Sequence, residues 1–371
     1  MAEVTATAGA TRLAGLSRLV SDRAQVVFTA ALTGTTLLAG AAVATNFFGH
    51  APTQLPAAHT AVSAPPPRTL TGPPYRFERA ANPARTLVKD AGGSLAGTLT
   101  DGARTAVLTG ARRTLAEPST TEAVVHTQDW VRLLPKPWKA GTEKAGWFQP
   151  WLTKNLASTA PDVLHVATQY TKGAPTVRAG ATRTAGDASF GPVTSADAAH
   201  DTVSDARREG SDFYNYLGSG WSFPNGVAAR PTREMYGAVD CSGYVRLVYG
   251  YRMKYPLDHT TERRGGLPRR AVHIAAYGPG TMVLRDRGAR TRWSEYSRLL
   301  PGDLVFFDGD PGDGPAIDHI GIFLGIDSKG HPRFISSRKI ADGPTMGDLG
   351  GASRLDGNGH YALTFRAARR L

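Results

Sequence analysis

The first long apolar run, Val26 to Gly49, reads VVFTAALTGTTLLAGAAVATNFFG, and no Lys, Arg, Asp or Glu occurs between Arg23 and Arg68. About 20 predominantly apolar residues suffice to cross a bilayer as a helix. Arg12, Arg18 and Arg23 precede the run, so the positive-inside rule predicts residues 1–25 in the cytoplasm and everything after residue 50 outside it. Ala42-Val43-Ala44 supplies an A-x-A cleavage pattern, which leaves 26–49 as a transmembrane anchor or a signal peptide. Residues 50–77 form a Pro/Ala/Thr tract that cannot bury a core and is expected to act as an extended linker.

From 78 to 125 the periodicity is poor and Gly is frequent; Ala84 to Asp90 reads as a short helix-like piece. Residues 78–159 are an unassigned lead-in region that holds four of the six tryptophans, between Trp130 and Trp151. Aromatic and basic residues interleaved there could stack on sugars or bases, or simply pack on the next domain. Order begins at Pro161-Asp162, which opens a helix with Val163, Val166, Ala167 and Tyr170 on one face. A Gly/Ala/Thr-rich loop follows over 173–200, and a second helix runs from Asp240 into the 250s. Strand-like runs come next: Asp303–Phe307, His319–Ile326, Arg333–Ser337 and Tyr361–Phe365. Helices followed by antiparallel strands predict an α+β domain over 160–371.

Composition narrows the partners. Of 371 residues, 43 are Lys or Arg against 31 Asp or Glu, a net charge of +12. A nucleic acid, an anionic membrane surface and an anionic cell wall all fit that charge. No nucleic-acid motif accompanies it, and Arg366, Arg369 and Arg370 read as a solvated basic end. Asp308, Asp310 and Asp313 break the EF-hand alternation, with His319 where the twelfth-position Glu belongs. No Cys/His cluster has zinc spacing, and Gly347 to Gly351 lacks the strand-then-helix setting of a phosphate loop. The sequence therefore calls for neither a metal nor a cofactor.

Cys241 is the only cysteine, so an intrachain disulfide is excluded. Asp240 is a good N-cap, which makes Cys241 the first residue of its helix, where the positive end of the macrodipole favours a thiolate. A thiolate there can act as a nucleophile, the same N–H groups can hold an oxyanion, and Gly243 leaves room for a substrate backbone. His319 opens the run DHIGIFLGI after a turn-rich acidic loop, and Gly321 and Gly325 permit close packing beside it.

VDCSGYVRLVY, LLPGDLVFF and DHIGIFLG followed by FISS, with Gly266-Leu267-Pro268-Arg269 between helix and strands, resemble the NlpC family of cell-wall cysteine peptidases. The resemblance covers roughly residues 160–371 and is strongest from 237 to 338. It implies a papain-like α+β fold with N-terminal helices and a C-terminal antiparallel sheet. It further implies hydrolysis of the γ-D-glutamyl to diamino-acid bond of peptidoglycan stem peptides, with Cys241 as nucleophile, His319 as general base, and Asp240 and Ser242 as supporting, substrate-side residues. The partner would be peptidoglycan or another anionic wall polymer, in the cell envelope outside the cytoplasm. The membrane would be reached through residues 26–49 if these remain uncleaved. A non-catalytic wall-binding module on the same fold, and an amidase or acyltransferase of the papain-like superfamily, remain as alternatives.

Two departures stand out. The family often has histidine as the third catalytic residue in a Phe-x-His-Ala context, where this chain has Phe334-Ile335-Ser336-Ser337. A hairpin turn at Ser328–Gly330 makes paired positions sum to about 657, which puts His319 opposite residue 338 and Ser336 diagonally on the same face. His331 would sit near the turn, roughly 24 Å away at about 3.4 Å per residue, so Ser336 is favoured over it. The family's Tyr-x-Trp-Gly-Gly cleft segment has only a loose counterpart in Gly220–Gly226, where Trp221 would line the substrate cleft.

Overall fold

The computed structural model describes residues 68–192, 210–310 and 314–371. The expected membrane or signal segment and most of the linker lie outside the described residues. Among the described residues no helix is long and apolar enough to cross a membrane.

Residues 76–133 build a five-stranded antiparallel meander of β1 (Arg76–Ala80), β2 (Arg85–Lys89), β3 (Leu95–Thr100), β4 (Thr105–Ala116) and β5 (Val124–Leu133). The helix-like reading of Ala84–Asp90 is corrected here. That stretch is β2, in which Thr86 and Val88 point inward while their neighbours stay half-exposed, the period of two that marks a strand. The inward threonine hid the alternation, and its hydroxyl accepts from the indole of Trp138 at 3.0 Å. The lead-in tryptophans pack back onto this sheet: Trp138 and Phe148 are fully buried against Val88, Leu99 and Leu108, with Trp147 and Trp151 at the edge.

The helix Val163–Thr168 forms as expected, with Asp162 capping it by accepting from His165 N. A hairpin follows, β6 (Val177–Ala179) with β7 (Thr182–Ala185), then a helix Phe213–Leu217 and a two-residue ladder of β8 (Trp221–Ser222) and β9 (Ala228–Ala229). The helix that begins at Cys241 runs as an α-turn to Val245 and continues as a π-helix, Arg246–Arg252. After the helix Ala271–Tyr277 comes a six-stranded sheet of β10 (Thr281–Leu284), β11 (Leu304–Phe307), β12 (His319–Ile326), β13 (Pro332–Arg338), β14 (Gly343–Thr345) and β15 (Phe365–Arg370). Its order is β10-β15-β11-β12-β13-β14, with every pair antiparallel. Helices preceding an antiparallel sheet match the α+β expectation. Tyr361–Phe365, however, is not a strand: His360–Thr364 is a helical turn, and β15 starts only at Phe365.

This sheet has two buried faces. Ile320, Ile322, Leu324 and Ile335 lie against Tyr244, Val245 and Val248 of the Cys241 helix. Phe307, Phe323, Phe334 and Phe365 form a separate core on the other face. The C-terminal arginines are not a solvated end. Arg370 is 1% exposed and pairs with both carboxylate oxygens of Asp303 at 2.7 Å, while Arg369 donates to the carbonyls of Gly278 and Ala275. Leu371 O accepts from Arg104 N and from both Thr105 N and Thr105 Oγ1, tying the last strand to the first sheet.

Candidate active site

The local sequence sets the Cys241 helix firmly. Asp240 is extended (φ −79°, ψ −175°), and its Oδ1 accepts from Gly243 N at 2.7 Å, closing the first turn. Gly243 is obligatory, since a Cβ there would collide with the carbonyl oxygen of Ser211. The space expected for a substrate backbone is therefore filled by residues 211–212 of the chain itself. Arg269, from the Leu-Pro-Arg segment, grips the cap: one nitrogen lies 3.1 Å from Asp240 Oδ1 and 2.7 Å from Ser242 Oγ, and the other pairs with Asp240 Oδ2 and the carbonyl of Gly210. Arg246 pairs with Asp212 at 3.0 Å beneath it. Asp240 and Ser242, expected on the substrate side, are thus buried in an ion network that holds the helix tip.

Cys241 itself is half-buried, and its sulfur rests on the main chain at the start of β12. Sγ donates to Asp318 O at 3.8 Å and receives the Ile320 N–H, the groups immediately before and after His319. The expected thiolate is not what this environment favours. Burial, followed by the Asp240 and Asp318 carboxylates, pushes the thiol up to about 12, outweighing the Ile320 hydrogen bond and the Arg269 charge. Of the first-turn donors, the Gly243 N–H is committed to Asp240.

His319 heads β12, paired with Phe307 of β11. Its ring lies 5.8 Å from the Phe307 ring and 5.3 Å from that of Tyr361. Nε2 is buried without a hydrogen-bond partner among the described residues. Burial, then the charge of Arg338 and that of His360, holds the imidazole down at about 3. Tyr361 bridges the two candidates. Its phenol is pushed up first by burial and also by Cys241, while Arg338 pulls it down. Among the described residues Cys241 and His319 make no hydrogen bond to each other, so both rest neutral across ordinary pH.

The hairpin register came out as expected, with Ile322↔Ile335 and Phe323↔Phe334. Extending it puts Arg338 opposite His319. The charge of that residue is the feature sequence reasoning passed over. Arg338 is 2% exposed; its Nε donates to Ser336 Oγ at 3.0 Å, its other nitrogens to Leu349 O, Gly351 O and Ser353 Oγ, and its guanidinium stacks 4.4 Å from the Tyr361 ring centroid. Ser336 is fully buried, with its hydroxyl bound to this arginine and making no hydrogen bond to His319 among the described residues.

His331 sits near the turn as anticipated, between Asp356 at 2.7 Å and Arg354 at 3.1 Å. Trp221 packs edge-on against Phe213 at 5.2 Å and Tyr251 at 6.0 Å. Tyr251 lies ten residues beyond Cys241, on the π-helical part of the same helix.

A helix-tip cysteine on a strand headed by histidine, in this order and topology, has a counterpart among known families. The NlpC/P60 family model matches residues 216–348. This segment is similar to the NlpC/P60 family. The match covers less than half of the chain, and no curated protein matches it. A match to this family implies a papain-like fold and supports a cell-wall cysteine peptidase or amidase type of activity in broad terms. The matched segment stops before Tyr361 and β15, although both pack onto it.

Proposed function

We propose that the chain is an exported cysteine peptidase that hydrolyses peptidoglycan stem peptides, at the γ-D-glutamyl to diamino-acid bond. The reading is carried by the position of the sole cysteine, whose sulfur is held on the main chain on either side of His319. His319 takes the thiol proton as Sγ attacks the peptide carbonyl. The tetrahedral oxyanion would be met by the Cys241 and Ser242 N–H groups, the first-turn donors that Asp240 does not use. His319 then returns the proton to the departing amine. Water, deprotonated by the same imidazole, adds to the thioester and releases the acid and the thiol. The first step needs the His319 imidazole to leave Tyr361 and meet the sulfur. A net charge of +12 suits an anionic wall polymer.

Digestion of purified peptidoglycan by the full chain, followed by mass analysis of the fragments, tests this. New free diamino-acid amines that vanish in Cys241→Ala are the expected result; intact peptides together with an unreactive Cys241 would refute it. One observation favours a second reading. A guanidinium beside the imidazole opposes formation of imidazolium, as would suit a wall-binding module that no longer catalyses. Unchanged wall binding by Cys241→Ala without any cleavage by the parent chain would select it.

A further inference from the structure

At the opposite end of β12 from His319 there is an open pocket of about 530 Å³, within the size range of small-ligand sites. Its floor is hydrocarbon, from Val125 of β5, Leu299 and Phe323, and one wall carries Trp293 and Tyr296. The two sides are fastened where Ser328 N donates to Val124 O at 2.7 Å. Phe323 is four residues and Ile326 seven residues beyond His319, about 14 and 24 Å of strand, so the pocket is separate from the sulfur.

The polar rim is set by a bulge. The ladder between β4 and β5 slips between Thr109 and Arg113, and Gly110 lies so close to the Trp130 indole that a Cβ would collide with it. Bulges re-aim side chains. Here Arg113 turns inward, 3.9 Å over Trp130 and bidentate on Asp162, while Arg112 is left exposed at the pocket rim. Arg68, also on the rim, is neutralised by Asp129. Among the described residues Arg112 has no hydrogen bond or ion pair. Apolar surface of this extent, open to water and edged by one uncompensated cation, matches one kind of molecule.

We propose that this pocket binds a single-chain anionic amphiphile, with the hydrocarbon tail against Phe323 and Leu299 and a phosphate or carboxylate head on Arg112. Octyl and decyl phosphate, titrated calorimetrically into the full chain below their micelle concentrations, test it. Saturable one-site binding is expected, with Kd falling about fourfold for each added methylene. Arg112→Gln is expected to weaken decyl phosphate about tenfold while leaving decanol unaffected. Ser297→Trp, an exposed lining position, is expected to fill the pocket and abolish both. No saturable binding, affinity independent of chain length, or glycerol phosphate binding as tightly as decyl phosphate would each overturn the proposal. The outcome is independent of any reaction at Cys241.

Discussion

Replacing Arg338 by Gln isolates the charge that faces the candidate base. The guanidinium carbon lies 4.4 Å from the Tyr361 ring centroid, itself 5.3 Å from the imidazole centroid, so the charge is no more than about 10 Å from His319. At an effective dielectric constant of about 20, two unit charges at that separation interact by about 1.7 kcal/mol, slightly over one pKa unit. Water at the half-exposed ring reduces this, so Arg338→Gln is expected to raise the His319 pKa by roughly half a unit to one unit. It should rise no further, because burial against Phe307 and Tyr361 is the larger cause of the depression and is untouched. His360, the other charge that acts on the ring, stays in place. NMR titration of the His319 ring protons in the parent, Arg338→Gln and Arg338→Lys proteins reads this directly, with the lysine variant expected to stay near the parent. An identical titration in parent and Arg338→Gln would refute the electrostatic role and leave burial alone to explain the neutral imidazole.

Other consequences follow from the same geometry. His319 has a folded pKa near 3 against 6.5 unperturbed, so the unfolded chain binds more protons between those values; stability should be complete above pH 6.5 and decline toward pH 3, with a shallower decline in His319→Gln, as read by Tm against pH. Iodoacetamide should alkylate Cys241 at a rate that keeps climbing toward about pH 12 in the absence of substrate; a plateau at neutral pH would reveal a thiolate–imidazolium pair and contradict the neutral resting state. Arg269→Leu strips Asp240 and Ser242 of their shared partner and should cost about 3–5 kcal/mol in denaturant unfolding, as expected when one member of a buried ion network is removed. Gly243→Ala forces a methyl against Ser211 O and should cost about 1–3 kcal/mol by the same assay.

Local chemistry was legible in the sequence and long-range apposition was not, for physical reasons visible in particular residues. Asp240 read as an N-cap and Pro161-Asp162 as a helix start because capping joins residues three apart, and both aspartates cap their helices. The β12–β13 pairs Ile322↔Ile335 and Phe323↔Phe334 fell where the short turn placed them, while a bulge between Phe323 and Gly325 offsets the pairs beside the turn by one residue. The first sheet escaped because its inward positions include Thr86 and Thr98, whose hydroxyls disguise a period of two. Arg369 and Arg370 looked solvated for a related reason. Their partners, Gly278 and Asp303, are 91 and 67 residues away, and nothing near the C-terminus signals a buried guanidinium.

The same asymmetry bears on the candidate site. Sequence order placed Cys241, His319 and Ser336 near one another, yet the electrostatics are set by Arg338 and Tyr361, one outside the recognised motifs and the other outside the matched segment. A motif records which groups meet. The protonation of those groups depends on burial and on charges brought in from other elements. Here both act in the same direction: burial raises the thiol and lowers the imidazole, and the nearby charges, Asp240 and Asp318 on one side and Arg338 on the other, reinforce each shift. Proton transfer from Cys241 to His319 therefore creates two charges in a place that disfavours each separately. If the chain hydrolyses wall peptides, the cost of that transfer must be offset by bringing the two charges together as His319 leaves Tyr361. Substrate binding and side-chain rotation would then be one event rather than two.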